Sequence, residues 1–175
     1  GLDSITEAAL KLTKKVKGSI HYDFENSDCI ISFGAKLIEG WGEKGRMQSA
    51  FAAWKDKGVK LIQVDSVCTA TAGAADKWVP VKAGTEAVLA LGICYELLKI
   101  GKRSAGADFA NWSQIIFNEY NLDKVSAVTG VSADDIKKLA VELAEAKKPI
   151  AVAGKGGSDV ASSTVDIVSV QCINS

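Results

Sequence analysis

Carboxylates and glycines fall at the ends of apolar runs at three places in the chain. Gly34 follows the run DCIISF, where a missing side chain lets a phosphate approach the backbone. Asp65 follows VKLIQV, and a carboxylate there can accept both hydroxyl protons of a ribose. Gly84-Thr85-Glu86 opens an apolar helical stretch with amides, a hydroxyl and an acid together. The three point to a nucleotide. Structural roles account for the same residues: Asp65 can cap a turn, and Thr85 can be an ordinary helix N-cap. The standard nucleotide fingerprints are missing. The first loop reads GAKLIEGWG rather than GxGxxG, and GKGG at 154–157 only superficially resembles a phosphate-binding P-loop.

The elements that must position these residues are legible from periodicity. Residues 4–17 read as a helix opened by a Ser4/Glu7 capping box. Strands are expected over 28–33, 59–64, 78–81 and 150–153. An amphipathic helix over 46–57, carrying Met47, Ala50, Phe51 and Trp54 and ended by Gly58, joins the first two strands. That βαβ unit implies parallel neighbours with a right-handed crossover. Further helices are expected over 85–100, 107–119 and 122–128, then from a Ser132/Asp135 cap onward, and over 160–173. The expected class is α/β: a Rossmann-like three-layer α/β/α domain with a mainly parallel sheet. Its ligand would lie beyond the carboxyl ends of the strands.

Composition narrows the partners. The 175 residues suit one domain with a real core, and 21 Lys and Arg balance 21 Asp and Glu. Nothing in that balance suggests a nucleic-acid or membrane surface. No apolar run approaches the roughly 20 residues that cross a bilayer. Cys29, Cys68, Cys94 and Cys172 match no zinc spacing and read mainly as small buried hydrophobes, and the one histidine, His21, reads as a loop residue. The chain stops at Ser175, just after an apolar helix, with no closing element. It is therefore expected to be a piece of a larger protein.

The order ENSDCIISFGAKLIEGWG, GVKLIQVDSVCTATAGAADKWVPVKAGTEAVLALG and VSADDIKKLAVELAEAKKPIAVAGKGG resembles the molybdopterin oxidoreductases of the dimethyl sulfoxide reductase superfamily. Its flavour is that of the thiosulfate, polysulfide, tetrathionate and arsenate reductase branch. The resemblance covers nearly the whole chain, and VD…TA…AD.W.P.K.GT is its most specific segment.

It implies that residues 1–175 are a Rossmann-like domain of a larger catalytic subunit. That domain would hold the guanosine part of one molybdopterin guanine dinucleotide and be inactive alone. It places Gly34, Asp65, Asp76, Lys82, Gly84, Thr85 and Glu86 near the cofactor. Asp65 would serve the ribose, and Glu86 stands where the family has the Asp of PGTD. A carboxylate suits guanine, whose one edge presents two donors, N1–H and the 2-amino group.

The chain departs from the family pattern in several places. Lys36 replaces an Asn and adds positive charge; Ser66-Val67 replaces Pro-Arg; Ala83 replaces a Pro. Losing that arginine removes a charged hydrogen-bonding fork.

In the full-length protein the resemblance implies molybdenum or tungsten, an iron–sulfur cluster, an iron–sulfur electron-transfer subunit and a membrane anchor subunit. It also implies a periplasmic or membrane-associated location. Two other readings stay in view. One is a degenerate, metal-free structural subunit of an electron-transfer complex, favoured by the lost Pro-Arg. The other is an NAD-binding dehydrogenase domain, suggested by Gly34 and Asp65 alone.

Overall fold

The computed structural model describes residues 20–102, 109–154 and 164–174. The helix expected over 4–17 and the start of the one expected over 160–173 lie outside them. Four strands form one parallel sheet in the order β3-β2-β1-β4: β1 (Cys29–Phe33), β2 (Lys60–Asp65), β3 (Lys77–Pro80) and β4 (Pro149–Ala153). Cys29 pairs with Lys60 and with Pro149, and Ile62 pairs with Lys77. The ladders run in step from there. β1 and the inner part of β2 are buried on both faces, which is why they read as continuous apolar runs. Pro149, which cannot donate to a ladder, is tolerated as the first residue of an edge strand.

Seven helices accompany the sheet among the described residues. On one face lies α1 (Lys44–Lys57), whose Met47, Ala50 and Trp54 pack on Ile30, Leu61 and Val152. Its C-cap, Gly58, takes φ +68°. A short α2 (Ala70–Ala74) packs near β2 and β3. The opposite face carries α3 (Glu86–Lys99), α5 (Leu122–Thr129), α6 (Ala133–Glu145) and α7 (Thr164–Gln171). Leu89, Ile93, Val125, Ile136, Leu139 and Val168 there bury Ile31, Phe33, Ile62 and Val64. α4 (Phe109–Glu119) packs outside this layer, with Ile116 against Leu91, Cys94 and Leu98 of α3.

The topology follows from chirality. β1, β2 and β3 step one way across the sheet, and the chain then crosses to the other side of β1 to form β4. Right-handed crossovers put the α1 connection and the α3–α6 connection on opposite faces. The order reverses between β1 and β4, and in parallel sheets ligands bind beyond the carboxyl ends of the strands at such a reversal.

Within the described residues, the elements match the sequence expectations with edge shifts of up to three residues, α2 apart. β2 extends through Asp65, and the passage after it contains α2, an element too short for periodicity to predict. Thr69 caps α2 by accepting from the Ala72 amide at 3.2 Å, a local signal that sits in the TATAGA segment. Ser132 accepts from the Asp135 amide at 3.1 Å, the cap expected for α6.

Candidate nucleotide site at the carboxyl edge of the sheet

Gly34 takes φ +63° as the chain leaves β1. Its amide donates to the Val64 carbonyl at 2.8 Å, while the Gly154 amide at the end of β4 donates to the Phe33 carbonyl at 2.8 Å. These two bonds carry the ladders one step past the strands. The two exits then lie backbone against backbone: a Cβ on Gly154 would fall 2.2 Å from Ala35 Cα and 2.5 Å from the Gly34 oxygen. Both glycines are therefore needed by the fold itself. With its amide already bonded, Gly34 acts here as a turn residue at the exit of β1 rather than as a phosphate donor. Lys36 follows in the same loop with an exposed side chain, and its carbonyl accepts from Glu39 and Trp41.

Asp65 ends β2 with no exposed surface. Gln63 Nε2 donates to its Oδ2 at 3.1 Å, and the Trp78 indole donates to its carbonyl at 3.2 Å. The VD and AD.W segments are thus tied together at the sheet edge. A carboxylate so enclosed has no face open to a sugar in this conformation, so Asp65 organises the loop after β2. Gln63 and Ser32 share this enclosed polar layer: both are fully buried, and Ser32 donates to the Ala35 carbonyl at 3.0 Å. Gln63 Oε1 and the neighbouring Ser66 Oγ meet no partner among the described residues. A glutamine inside the apolar run KLIQVD is the sequence signal for this layer.

Asp76 lies at the other end of the sheet. Its Oδ2 accepts from the Leu61 amide at 2.8 Å, and its Oδ1 accepts from Lys55 Nζ at 3.1 Å. Leu61 precedes Asp65 by four strand residues, so Asp76 sits about 13 Å from the carboxyl edge. The structure does not bring Asp76 to the others. Burial pushes its carboxyl up, but the Leu61 amide and the Lys55 ammonium outweigh this and hold it below the ordinary carboxylate value. Its work is to fasten the start of β3 to β2.

Lys82, Gly84, Thr85 and Glu86 do converge. The chain leaves β3, and Lys82 donates its amide to the Thr129 carbonyl at 3.0 Å. Lys82 Nζ donates to the Ala127 carbonyl at 3.0 Å, so this ammonium caps the C-terminal end of α5. A turn then runs through Gly84 at φ +77°. Thr85 is the N-cap residue of α3, but its hydroxyl donates back to the Lys82 carbonyl at 2.6 Å and makes no cap bond. The first-turn amides of α3 thus receive no side-chain cap from Thr85.

Glu86 stands in that first turn, partly buried, and its Oε1 is buried with no hydrogen-bond donor among the described residues. Burial raises its carboxyl above the ordinary value; its own amide opposes this, and the Asp65 charge adds to it. Gly84's amide and Asp166 pull down and up more weakly. The arrangement can therefore take a ligand edge that brings hydrogen-bond donors to Glu86, with anionic groups near the α3 N-terminus and Lys36.

No protein-family model matches the chain. It is 36% identical over 142 residues to the menaquinone reductase molybdopterin-binding-like subunit of Nitratidesulfovibrio vulgaris, a match covering 79% of this chain and 20% of that protein. It is 31% identical over 158 residues to the acetylene hydratase of Syntrophotalea acetylenica, covering 86% of this chain and 21% of that one. The solved structure of acetylene hydratase from Pelobacter acetylenicus superimposes with a TM-score of 0.78 at 25% identity, over 96% of this chain and 23% of that chain. The chain thus spans about a fifth of the length of the curated relatives it matches. By the agreement of sequence and fold, it belongs to the molybdopterin-binding dimethyl sulfoxide reductase superfamily.

Proposed function

We propose that this chain is the domain of a molybdopterin oxidoreductase that holds the guanosine end of one molybdopterin guanine dinucleotide. One observation carries the reading: Glu86 Oε1 is buried at the carboxyl edge of the sheet with no donor to satisfy it. A buried acceptor left unpaired costs roughly 1–3 kcal/mol, so the site is built for a partner. Guanine offers two adjacent donors, N1–H and the 2-amino group, while adenine has no matching pair. The first turn of α3 beyond Glu86 supplies amides for sugar or phosphate, and Lys36, whose charge also lowers Glu39, supplies an exposed positive charge in the loop after β1.

Asp65, Gly34 and Lys82 shape the two loops, and Asp76 anchors β3 at the far edge. When bound, the cofactor supplies metal-centred two-electron chemistry at molybdenum or tungsten, and this chain binds and orients its nucleotide. On the same reading the other domains of the subunit close over the cofactor. An iron–sulfur cluster in the full-length protein, an iron–sulfur electron-transfer subunit and a membrane anchor subunit serve electron transfer in an enzyme that is periplasmic or membrane-associated.

A second reading has its own support. One relative is described as a molybdopterin-binding-like subunit, and Asp65 is enclosed. Both favour a degenerate domain that keeps the fold as a structural part of an electron-transfer complex. Thermal melting with GDP, ADP and NAD, repeated on Glu86→Gln, separates the readings. Stabilisation by GDP alone, lost in Glu86→Gln, is the expected result. Equal shifts with NAD would favour a dehydrogenase domain, and no shift with any nucleotide would favour the degenerate one.

A further inference from the structure

Cys94 lies on the buried side of α3, in the small cluster with Leu91, Leu98 and Ile116. Cys172 follows α7, its amide donating to the Val168 carbonyl at 3.1 Å, and packs against the same cluster. The two are 78 residues apart in sequence, yet both pack into this one cluster, and each thiol shifts the ionisation of the other. Cys94 is buried, Cys172 is partly exposed, Cys29 is buried away from both, and Cys68 is exposed in the loop after β2. Nothing in the nucleotide reading uses this pair.

We infer that Cys94 and Cys172 form a thiol–disulfide exchange site in which Cys172 meets a small-molecule disulfide and Cys94 resolves the adduct. Exposure sets the order of events, because Cys172 is partly exposed and Cys94 is buried. The neighbouring Cys94 thiol holds the Cys172 thiol below its ordinary value, while Cys172 and then burial hold Cys94 well above it. The Cys172 thiolate attacks one sulfur of the oxidant; a protein–oxidant disulfide forms and one thiolate leaves. Cys94 passes its proton to the thiolate released in the first step and attacks the Cys172 sulfur, expelling the second thiolate. Two protein thiols are oxidised to one disulfide, and one disulfide is reduced to two thiols, so atoms and electrons balance.

The bond would clamp α7 and the turn after it onto α3. Cys94 lies eight residues beyond Glu86 on α3, about 12 Å along the helix axis. The clamp therefore fixes the same helix whose first turn carries Glu86.

The test uses the folded full chain carrying Cys68→Ser, which removes the exposed thiol. The chain is exposed to oxidised glutathione, quenched with acid, alkylated after denaturation and mapped by mass spectrometry. The expected product is a monomer with a Cys94–Cys172 disulfide and alkylated Cys29. It should form at least about tenfold faster than any modification of Cys29, which is buried and whose thiol that burial pushes up to about 11. In Cys68→Ser/Cys94→Ser, glutathione should remain attached at Cys172. Both residues alkylated like Cys29, or a bond that forms only after denaturation, would overturn the inference.

Discussion

At the scale of single residues, Glu86 and Asp76 are both carboxylates from the same resemblance, and their surroundings give them opposite behaviour. Glu86 binds its proton more tightly when folded, because burial opposes its charge and the Asp65 carboxylate adds to it. For an acid of raised value, stability falls as pH rises through the interval between the unfolded and folded values, and the full cost stands at neutral pH. Glu86→Gln should therefore raise the melting temperature of the nucleotide-free chain at pH 7 while removing guanine recognition.

Binding of GDP needs the ionised form. It should weaken as pH falls, starting above the usual carboxylate range, and titration calorimetry across pH 4 to 7 checks this, within roughly that window.

Asp76 is the reverse case. Its value is depressed, so its contribution is present above the unfolded value and is lost as pH falls through the folded one. Asp76→Ala strips a partner from the Leu61 amide and should cost about 1–2 kcal/mol near neutral pH. The gap to the parent chain should close in acid, and nucleotide affinity should not change. Urea melts at several pH values, with a parallel GDP titration, measure both.

At the scale of elements, helix α3 is held tightly against α5 by a glycine. A Cβ on Gly92 would fall 2.7 Å from Val125 Cγ1, and Val125 is a stiff, buried side chain. In Gly92→Ala, overpacking of about 1–3 kcal/mol should outweigh the roughly 1 kcal/mol of helix propensity gained, leaving a net loss on the order of 1 kcal/mol. Adding Val125→Ala should make the two changes non-additive, with part of the strain relieved; denaturant titration of the four chains gives the coupling. Gly154→Ala should be worse, because the atoms in its way are backbone and cannot turn aside.

Element types were legible because the signals are local: the run CIISF, the Ser132 cap and the Gly58 stop each act within a turn. α2 was not legible, since five residues capped by Thr69 carry no periodicity. The fate of the carboxylates was less legible still. Asp65 and Asp76 both sit beside strand ends in the sequence. Only the register, Leu61 facing Asp76 and Asp65 facing Pro80, assigns them to opposite edges. Burial of Asp65 depends on Gln63 and Trp78, contacts that no spacing rule supplies.

At the scale of the whole molecule, the parallel sheet with its reversal between β1 and β4 directs a ligand to one edge, and the convergent polar groups lie at that edge. The central claim is that a guanine nucleotide binds there through Glu86 and the turn before it. The most direct measurement is a backbone amide NMR titration of the chain with GDP, with ADP as comparator. The account predicts GDP-specific shifts at Gly84, Thr85, Glu86 and Lys36, and quiet amides at Leu61 and Asp76. Shifts centred on Leu61 and Asp76, or equal responses to ADP, would contradict it.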